Sequence, residues 1–400
     1  MNITGIITEY NPLHKGHIYH INKTKELTNC DGIVCVMSGN FVQRGIPAIM
    51  DKWTRCKLAL NSGVDLVIEL PTIYSLSSAE FFAYGAISLL NSIGVTNNIC
   101  FGSESGKIDD IKSISRILNN EPYEFKNYLK NHLDKGVSYP VARSKALVEY
   151  FNNDFDIKEI LKNSNNILGI EYCKSLLRLK STITPYTIQR KGSSYNDDEL
   201  KNKFSSATAI RSHVKNSKNI DILKDILPSK TFSYLYDKFN NNNLVFEDSM
   251  FSFIKYKSLT FQNKLENLPD VKEGLHNKIY NELKNSKSFY ELVSNIKSKR
   301  YAYTRISRIL CQYFVGMENF NIESLRTLPA PYGRILGFND NGRKILKQMK
   351  SKSSIPIYTK LPKTLNDTLK LDIQSTCAYS MINKSVSYDS DFTISPIYLK

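Results

Sequence analysis

The chain has 400 residues, 41% of them hydrophobic, and carries 54 Lys and Arg against 38 Asp and Glu, a formal charge of +16. That length suits about two or three domains with real cores. No apolar run approaches the roughly 18–20 residues that would cross a bilayer, so no membrane association is expected. The seven cysteines are widely spaced and none forms a C-x-x-C pair. This argues for reduced, packed thiols, against a structural zinc site, and for a cytoplasmic protein. The first residues lack a basic stretch and run straight into a strand pattern, so no secretory leader is expected.

Ile3–Ile7 reads as a short apolar strand. After it come Tyr10-Asn11-Pro12-Leu13-His14-Lys15-Gly16-His17 and then a helical pattern over Ile18–Leu27. Two imidazoles thus flank a glycine where a helix begins. Free backbone N–H groups and the helix dipole make such a place an anion site. Glycine lets a phosphate approach the backbone, and two histidines there can donate to a phosphoryl oxygen as charge builds on it. The arrangement suits chemistry at a nucleotide's α-phosphate. The plainer alternative is a loop with two solvated histidines.

Further strands are expected at Gly32–Met37, Asp65–Glu69, Asn98–Phe101 and Thr184–Gln189. Helices are expected at Lys52–Asn61, Ala79–Leu90, Ile108–Leu118 and Ile170–Leu179. Strand–helix alternation with short, mainly apolar strands argues for a parallel sheet whose ligands gather at the strands' carboxyl ends. The loops after those ends are polar. Gln43 and Arg44 in one of them either face a substrate or belong to a flexible loop. Trp53 is read as core. Phe101-Gly102-Ser103-Glu104 ends a strand with a glycine against which a ligand can lie, and Asn165-Asn166 places amides before a helix. Residues 122–150 look like a helical insertion.

Beyond Arg211 the pattern turns helical, over Ile220–Leu227, Thr231–Phe239, Met250–Phe261, Lys278–Asn285, Phe289–Ile296 and Tyr301–Phe314. After Pro329-Ala330-Pro331 it reads strand (Arg334–Phe338), helix (Gly342–Met349), strand (Ile355–Tyr358). The expected fold is therefore α/β. A Rossmann-like parallel sheet occupies residues 1–215, a helical domain 216–320, and a small basic α/β unit 321–400. Residues 251 to 400 hold 24 Lys and Arg against 12 Asp and Glu, most of the chain's excess charge. Either this is an ordinary lysine-rich surface or it is the footprint of a polyanion such as RNA.

A second motif supports the first. In Lys203-Phe204-Ser205-Ser206-Ala207-Thr208-Ala209-Ile210-Arg211, Ser and Thr are good N-caps and Arg211 falls one turn into the helix they open, placed to grip a phosphate. Both motifs resemble those of the H-x-G-H nucleotidyltransferases. There are departures: Asn11-Pro12 replaces Asp-Pro, Gly5 lies further back, and Ala207 is inserted before Thr208.

Longer stretches are similar to one family in particular, the bacterial tRNA-Met cytidine acetate ligases. They are Glu9 to Pro12 with the H-x-G-H motif, Val36 to Gly45, Asp65 to Pro71, Phe101 to Glu104, Asn165 to Tyr172, Ser206 to Arg211, Lys299 to Arg308 and Arg334 to Asn339. The resemblance runs from about residue 2 to about residue 360 and is weaker in the tail. It implies that ATP and acetate form acetyl-adenylate and pyrophosphate, and that the acetyl group passes to the wobble cytidine of elongator tRNA-Met. It also implies roles. His14, His17 and Arg211 are the expected catalytic groups. Ile7, Tyr10, Asn11, Pro12, His14, Gly16, His17, His20, Gly102, Asn165, Asn166, Arg190, Ser206 and Thr208 are expected to bind ATP. Mg2+ is expected to arrive with ATP, with no protein metal site and no tightly bound cofactor. Two other readings remain: an adenylyltransferase acting on a small phosphate monoester, and a tRNA-binding protein without catalysis.

Overall fold

A strand apolar on both sides is stable only where both faces of its sheet are covered. The computed structural model, which describes residues 1–152, 155–190, 205–261 and 264–400, arranges the first half of the chain that way. Strands β1 (Ile3–Thr8), β2 (Gly32–Ser38), β3 (Leu66–Leu70), β4 (Asn98–Ser103) and β5 (Thr184–Gln189) run parallel, in the order β3-β2-β1-β4-β5. Their helices are α1 (Lys15–Thr28), α2 (Lys52–Asn61), α3 (Ala79–Ser92), α4 (Ile108–Asn120), α5 (Ser164–Arg178) and α6 (Ala207–Asn216). Successive side chains on β2 enter opposite cores. Val34 and Val36 join one, with Leu89 of α3 and Ile114 of α4. Ile33, Cys35 and Met37 join the other, with Ile21 of α1 and Leu58 of α2. The expected mixed α/β fold with its mainly parallel sheet is what the chain adopts.

The chain steps outward from β1 to β2 and β3, then returns to place β4 on the other side of β1. That reversal opens a crevice beyond the carboxyl ends of β1 and β4, where open α/β sheets bind ligands.

The second half departs from expectation. Strand β6 (Gly333–Asn339) does not begin a sheet of its own within residues 321–400. It pairs antiparallel with β3, from Leu66 opposite Phe338 to Glu69 opposite Arg334. Strands β7 (Ile357–Tyr358) and β8 (Ile397–Leu399) then line the outer edge of β6, completing an eight-stranded sheet. The physical reason is the open edge of β3, whose unpaired N–H and C=O groups need a partner. Helix α7 (Tyr303–Val315) packs behind the short hairpin Phe41–Val42/Ile46–Pro47. Helices α8 (Asp340–Lys352) and α9 (Asp367–Ser380) follow, and α9, in the tail, was not foreseen. Helices Ser229–Asn240, Phe251–Thr260, Leu275–Asn285 and Phe289–Ile296 lie near their expected places, whereas Ile220–Leu227 is only a short 3-10 turn, Asp221–Asp225. Among the described residues no helix is long and apolar enough to cross a membrane.

Candidate active site

Helix α1 begins with an unusual cap. His14 is its N-cap, in extended conformation (φ −134°, ψ 174°). Its Nδ1 accepts from the Gly16 N–H at 3.1 Å, while Nδ1 of His17 accepts from the His14 N–H at 3.1 Å. This is a capping box built from imidazoles rather than from Ser/Thr and Glu/Gln. It fixes the tautomers: a ring nitrogen that accepts carries no proton, so each neutral ring holds its proton on Nε2. The two rings stack with centroids 3.8 Å apart, and Tyr10 meets His17 edge-on at 4.9 Å. Gly16 is required by this geometry, since a Cβ there would stand 2.8 Å from the His14 ring.

The rings are also held neutral. Burial, helped by the charges of Arg190 and Arg211, lowers His14 to about 3. Burial and then His14 keep His17 well below its ordinary range. Burial and then Arg190 bring His20 to about 4. Near neutral pH the motif is therefore a pair of uncharged N–H donors.

The second motif meets the first through the backbone. Ser206 caps α6, its Oγ accepting from the Ala209 N–H at 3.0 Å. Arg211 donates from Nη1 to the Asn11 carbonyl at 2.6 Å and from Nη2 to Thr208 Oγ1 at 3.3 Å. Two helix N-termini thus converge on one place, joined by the Asn11 carbonyl at the cis Asn11–Pro12 peptide. Asn11 is itself held by the Ile49 N–H, which donates to its Oδ1 at 2.8 Å. Lys203 and Phe204, read as part of this motif, lie outside the described residues.

Between these termini lies a cavity of about 210 Å³. The expected residues Ile7, Tyr10, Asn11, His14, Gly16, His17, His20, Gly102, Asn165, Arg190, Ser206, Thr208 and Arg211 all line it. Pro12 and Asn166 do not. Pro12 is buried beside the motif. Asn166 is a staple: its Oδ1 accepts from the N–H groups of Glu104 and Ser105 at 2.9 and 3.1 Å, and its Nδ2 donates to the Ile160 carbonyl at 3.1 Å. It therefore fixes the loop after β4 and leaves Asn165 to face the cavity. Phe101, Leu168 and Tyr172 supply an apolar wall on the β4 side, with the Phe101 and Tyr172 rings 5.5 Å apart. Glu9 and Gln43 line the β2 side. Gln43 had been singled out for its loop. The sequence assigns Glu9 no role, although its place one residue beyond β1 is the signal that could have found it. Arg44 does not line the cavity.

The floor of the site rests on buried charge. Arg55 is fully buried at the carboxyl ends of β1 and β2. It donates to the carbonyls of Glu9 at 2.7 Å, Ser38 and Met50 at 3.0 Å, and also Gly39. Nearby, Lys52 Nζ lies 2.7 Å from Glu69 Oε1 and 2.8 Å from Asp391 Oδ1. Arg334 is 3.0 Å from Asp391 Oδ1 and 3.5 Å from Glu69 Oε2. The Asp391 contacts are close ion pairs rather than well-aligned hydrogen bonds. Together these four side chains bind the tail of the chain to β3, β6 and the first turn of α2.

A parallel sheet with its crevice at the order reversal, and paired helix N-termini bearing His-x-Gly-His, define a nucleotidyltransferase class. The HIGH Nucleotidyl Transferase family model matches residues 1–392. A protein of Clostridium novyi (strain NT) named tRNA(Met) cytidine acetate ligase is 88% identical over the full length of both chains. One of the same name from Clostridium tetani (strain Massachusetts / E88) is 54% identical over 99% of this chain and all of its own. Crystal structures of Thermotoga maritima TmcAL are 34% identical with full coverage of both chains. The TM-score is 0.90 for the apo form I and 0.89 for form II, which is bound with alpha-thio ATP. The chain belongs to the tRNA(Met) cytidine acetate ligase family of HIGH nucleotidyltransferases.

Proposed function

We propose that the protein activates acetate with ATP, forming acetyl-adenylate and pyrophosphate, and then acetylates the wobble cytidine of elongator tRNA-Met. The observation that carries this reading is the histidine capping box, which holds two neutral imidazoles as Nε2 donors beside Arg211 and Arg190. An acetate oxygen attacks the α-phosphorus in line as pyrophosphate departs. His14 and His17 donate to the charge that grows on the α-phosphoryl oxygens, with no proton to lose first. Arg211 and the N-terminus of α6 hold the leaving pyrophosphate. The Phe101, Leu168 and Tyr172 wall takes the apolar face of adenine. Glu9 is the sole carboxylate among the described lining residues. That donor set fits an Mg2+ ion carried in on the phosphates better than one held by a protein cage. Residues 1–215 carry adenylation in this scheme, and the basic region beyond residue 251 receives the tRNA in the cytoplasm.

The test is to supply ATP and labelled acetate with and without bulk tRNA. Pyrophosphate release should require acetate, and label should enter RNA only when tRNA is present. Turnover independent of acetate, or label transferred to a small phosphate monoester instead, would replace the ligase reading by that of a small-molecule adenylyltransferase.

A further inference from the structure

A cavity that must accept triphosphate is poorly served by a carboxylate, because like charges repel. Yet Glu9 lines it, on the same strand end that leads to His14 and His17. Its position is well determined. Arg55 holds its carbonyl at 2.7 Å, and its Oε1 accepts from the Gln43 N–H at 2.9 Å. Its Oε2 has no hydrogen bond or ion pair among the described residues. Gln43 also lines the cavity, and its carboxamide has no hydrogen-bond partner among the described residues. An open acceptor and an open carboxamide thus sit on residues tied to each other through the Gln43 N–H.

Gln43 is set apart from the nucleotide groups of the far wall. Gly102 belongs to β4, Asn165 to α5, and Arg190 directly follows β5, all on one side of β1. Gln43 follows β2, on the other side. Its hairpin turns at Gly45 (φ +77°), where a Cβ would stand 2.2 Å from the Arg308 backbone nitrogen. Ser307 Oγ donates to the Gly45 carbonyl at 2.8 Å. The Glu9–Gln43 wall is therefore continuous with α7 and the basic half of the chain.

We propose that Glu9 and Gln43 form the subsite for the acceptor base, with Glu9 the group that receives the proton of the cytosine amine. This rests on the ligase reading. Cytosine presents an N4–H donor beside the N3 and O2 acceptors. A carboxylate accepts from the first and a carboxamide donates to the others. Uracil would turn its O4 carbonyl towards the carboxylate and be rejected. In the transfer step, the N4 lone pair forms a bond to the acetyl carbon. The bond from that carbon to the phosphate oxygen breaks, AMP leaves with the electron pair, and the N4 proton passes to Glu9 Oε2.

The test measures the two half-reactions separately on the full chain. Acetate-dependent ATP–pyrophosphate exchange reads the first, and transfer from isolated labelled acetyl-adenylate to tRNA reads the second. Glu9→Gln should slow transfer about a hundredfold or more, the usual contribution of a positioned base, and slow exchange much less. Glu9→Asp should recover part of the transfer rate. Competition by anticodon stem-loops carrying cytidine or uridine at the wobble position should favour cytidine with the unaltered protein, and less so with Gln43→Ala. Equal loss in both half-reactions, or a raised Mg2+ requirement for exchange in Glu9→Gln, would assign Glu9 to ATP or its metal and overturn the proposal. If the unaltered protein shows no acetate-dependent exchange, the ligase reading fails first and the subsite falls with it.

Discussion

Replacing Asp391 by asparagine removes one of the two carboxylates in direct contact with the buried Lys52 and Arg334. The side chains of Lys52 and Asp391 are 0% exposed, Glu69 2% and Arg334 7%. Burial alone would raise the Asp391 carboxyl, but Lys52 and then Arg334 outweigh it and hold it below the usual carboxylate value. The aspartate is therefore ionised, and asparagine leaves the cluster one positive charge in excess. Breaking a buried pair in this way costs about 3–5 kcal/mol. The sole tryptophan is a built-in reporter, since Lys52 Nζ lies 5.0 Å from the Trp53 ring. Urea unfolding followed by Trp53 fluorescence should show Asp391→Asn destabilised by that amount. The double variant Lys52→Met/Asp391→Asn should lose clearly less than the sum of its single variants, because neutralising both partners leaves no orphan charge. A loss under about 1 kcal/mol for Asp391→Asn, or simple additivity in the double variant, would refute the account.

His17→Ala should cut acetate-dependent pyrophosphate exchange by about a hundred- to thousandfold while leaving tRNA affinity within twofold or so, as measured by filter binding. Lys344 and Lys347 are exposed on α8. Removing either should lower the slope of log K for tRNA against log salt by roughly 0.7–0.9 if it meets a phosphate, and unchanged slopes would make them ordinary surface charges. His14 gives a pH prediction. Its folded value of about 3 lies below the ordinary 6.5, so the unfolded chain binds more protons between these values and stability falls as pH drops through that window. At pH 4.5 the loss is on the order of 3 kcal/mol. His14→Asn, which retains a capping side chain, should lose less stability than the unaltered protein between pH 7.5 and 4.5 in urea titrations, and equal losses would contradict the assigned shift.

The first half of the fold was legible because its information is local. The apolar runs at Ile3, Gly32, Leu66 and Asn98 are each bounded by polar turns, and buried parallel strands leave that trace. The H-x-G-H motif was legible for the same reason, since its cap closes within four residues. What was not legible depends on distant pairing. The Arg334–Phe338 run reads equally well as part of a small sheet of its own, and nothing near it says that its partner is Leu66–Glu69. Asp391 looks like a surface residue in sequence, because Lys52 and Arg334 reach it only after the tail has folded back. Asn165 and Asn166 are adjacent and chemically identical. Only the helix they open decides which faces the cavity and which fastens Glu104 and Ser105.

The antiparallel seam between β3 and β6 also bears on how the enzyme is made. During synthesis β3 leaves the ribosome early, with β2 already beside it, while β6 and Asp391 emerge only after most of the chain. Until then the nascent sheet has an open apolar edge, and Lys52 lacks one of the anions that balance it. The groups assigned to acetate activation are all translated by Arg211, but the sheet that positions them is closed only by residues near the C-terminus. Truncated translation products should therefore fall to proteolysis rather than persist as fragments that consume ATP. Under the proposed scheme, a reactive acetyl–phosphate anhydride would then be made only after the part of the chain proposed to receive the RNA.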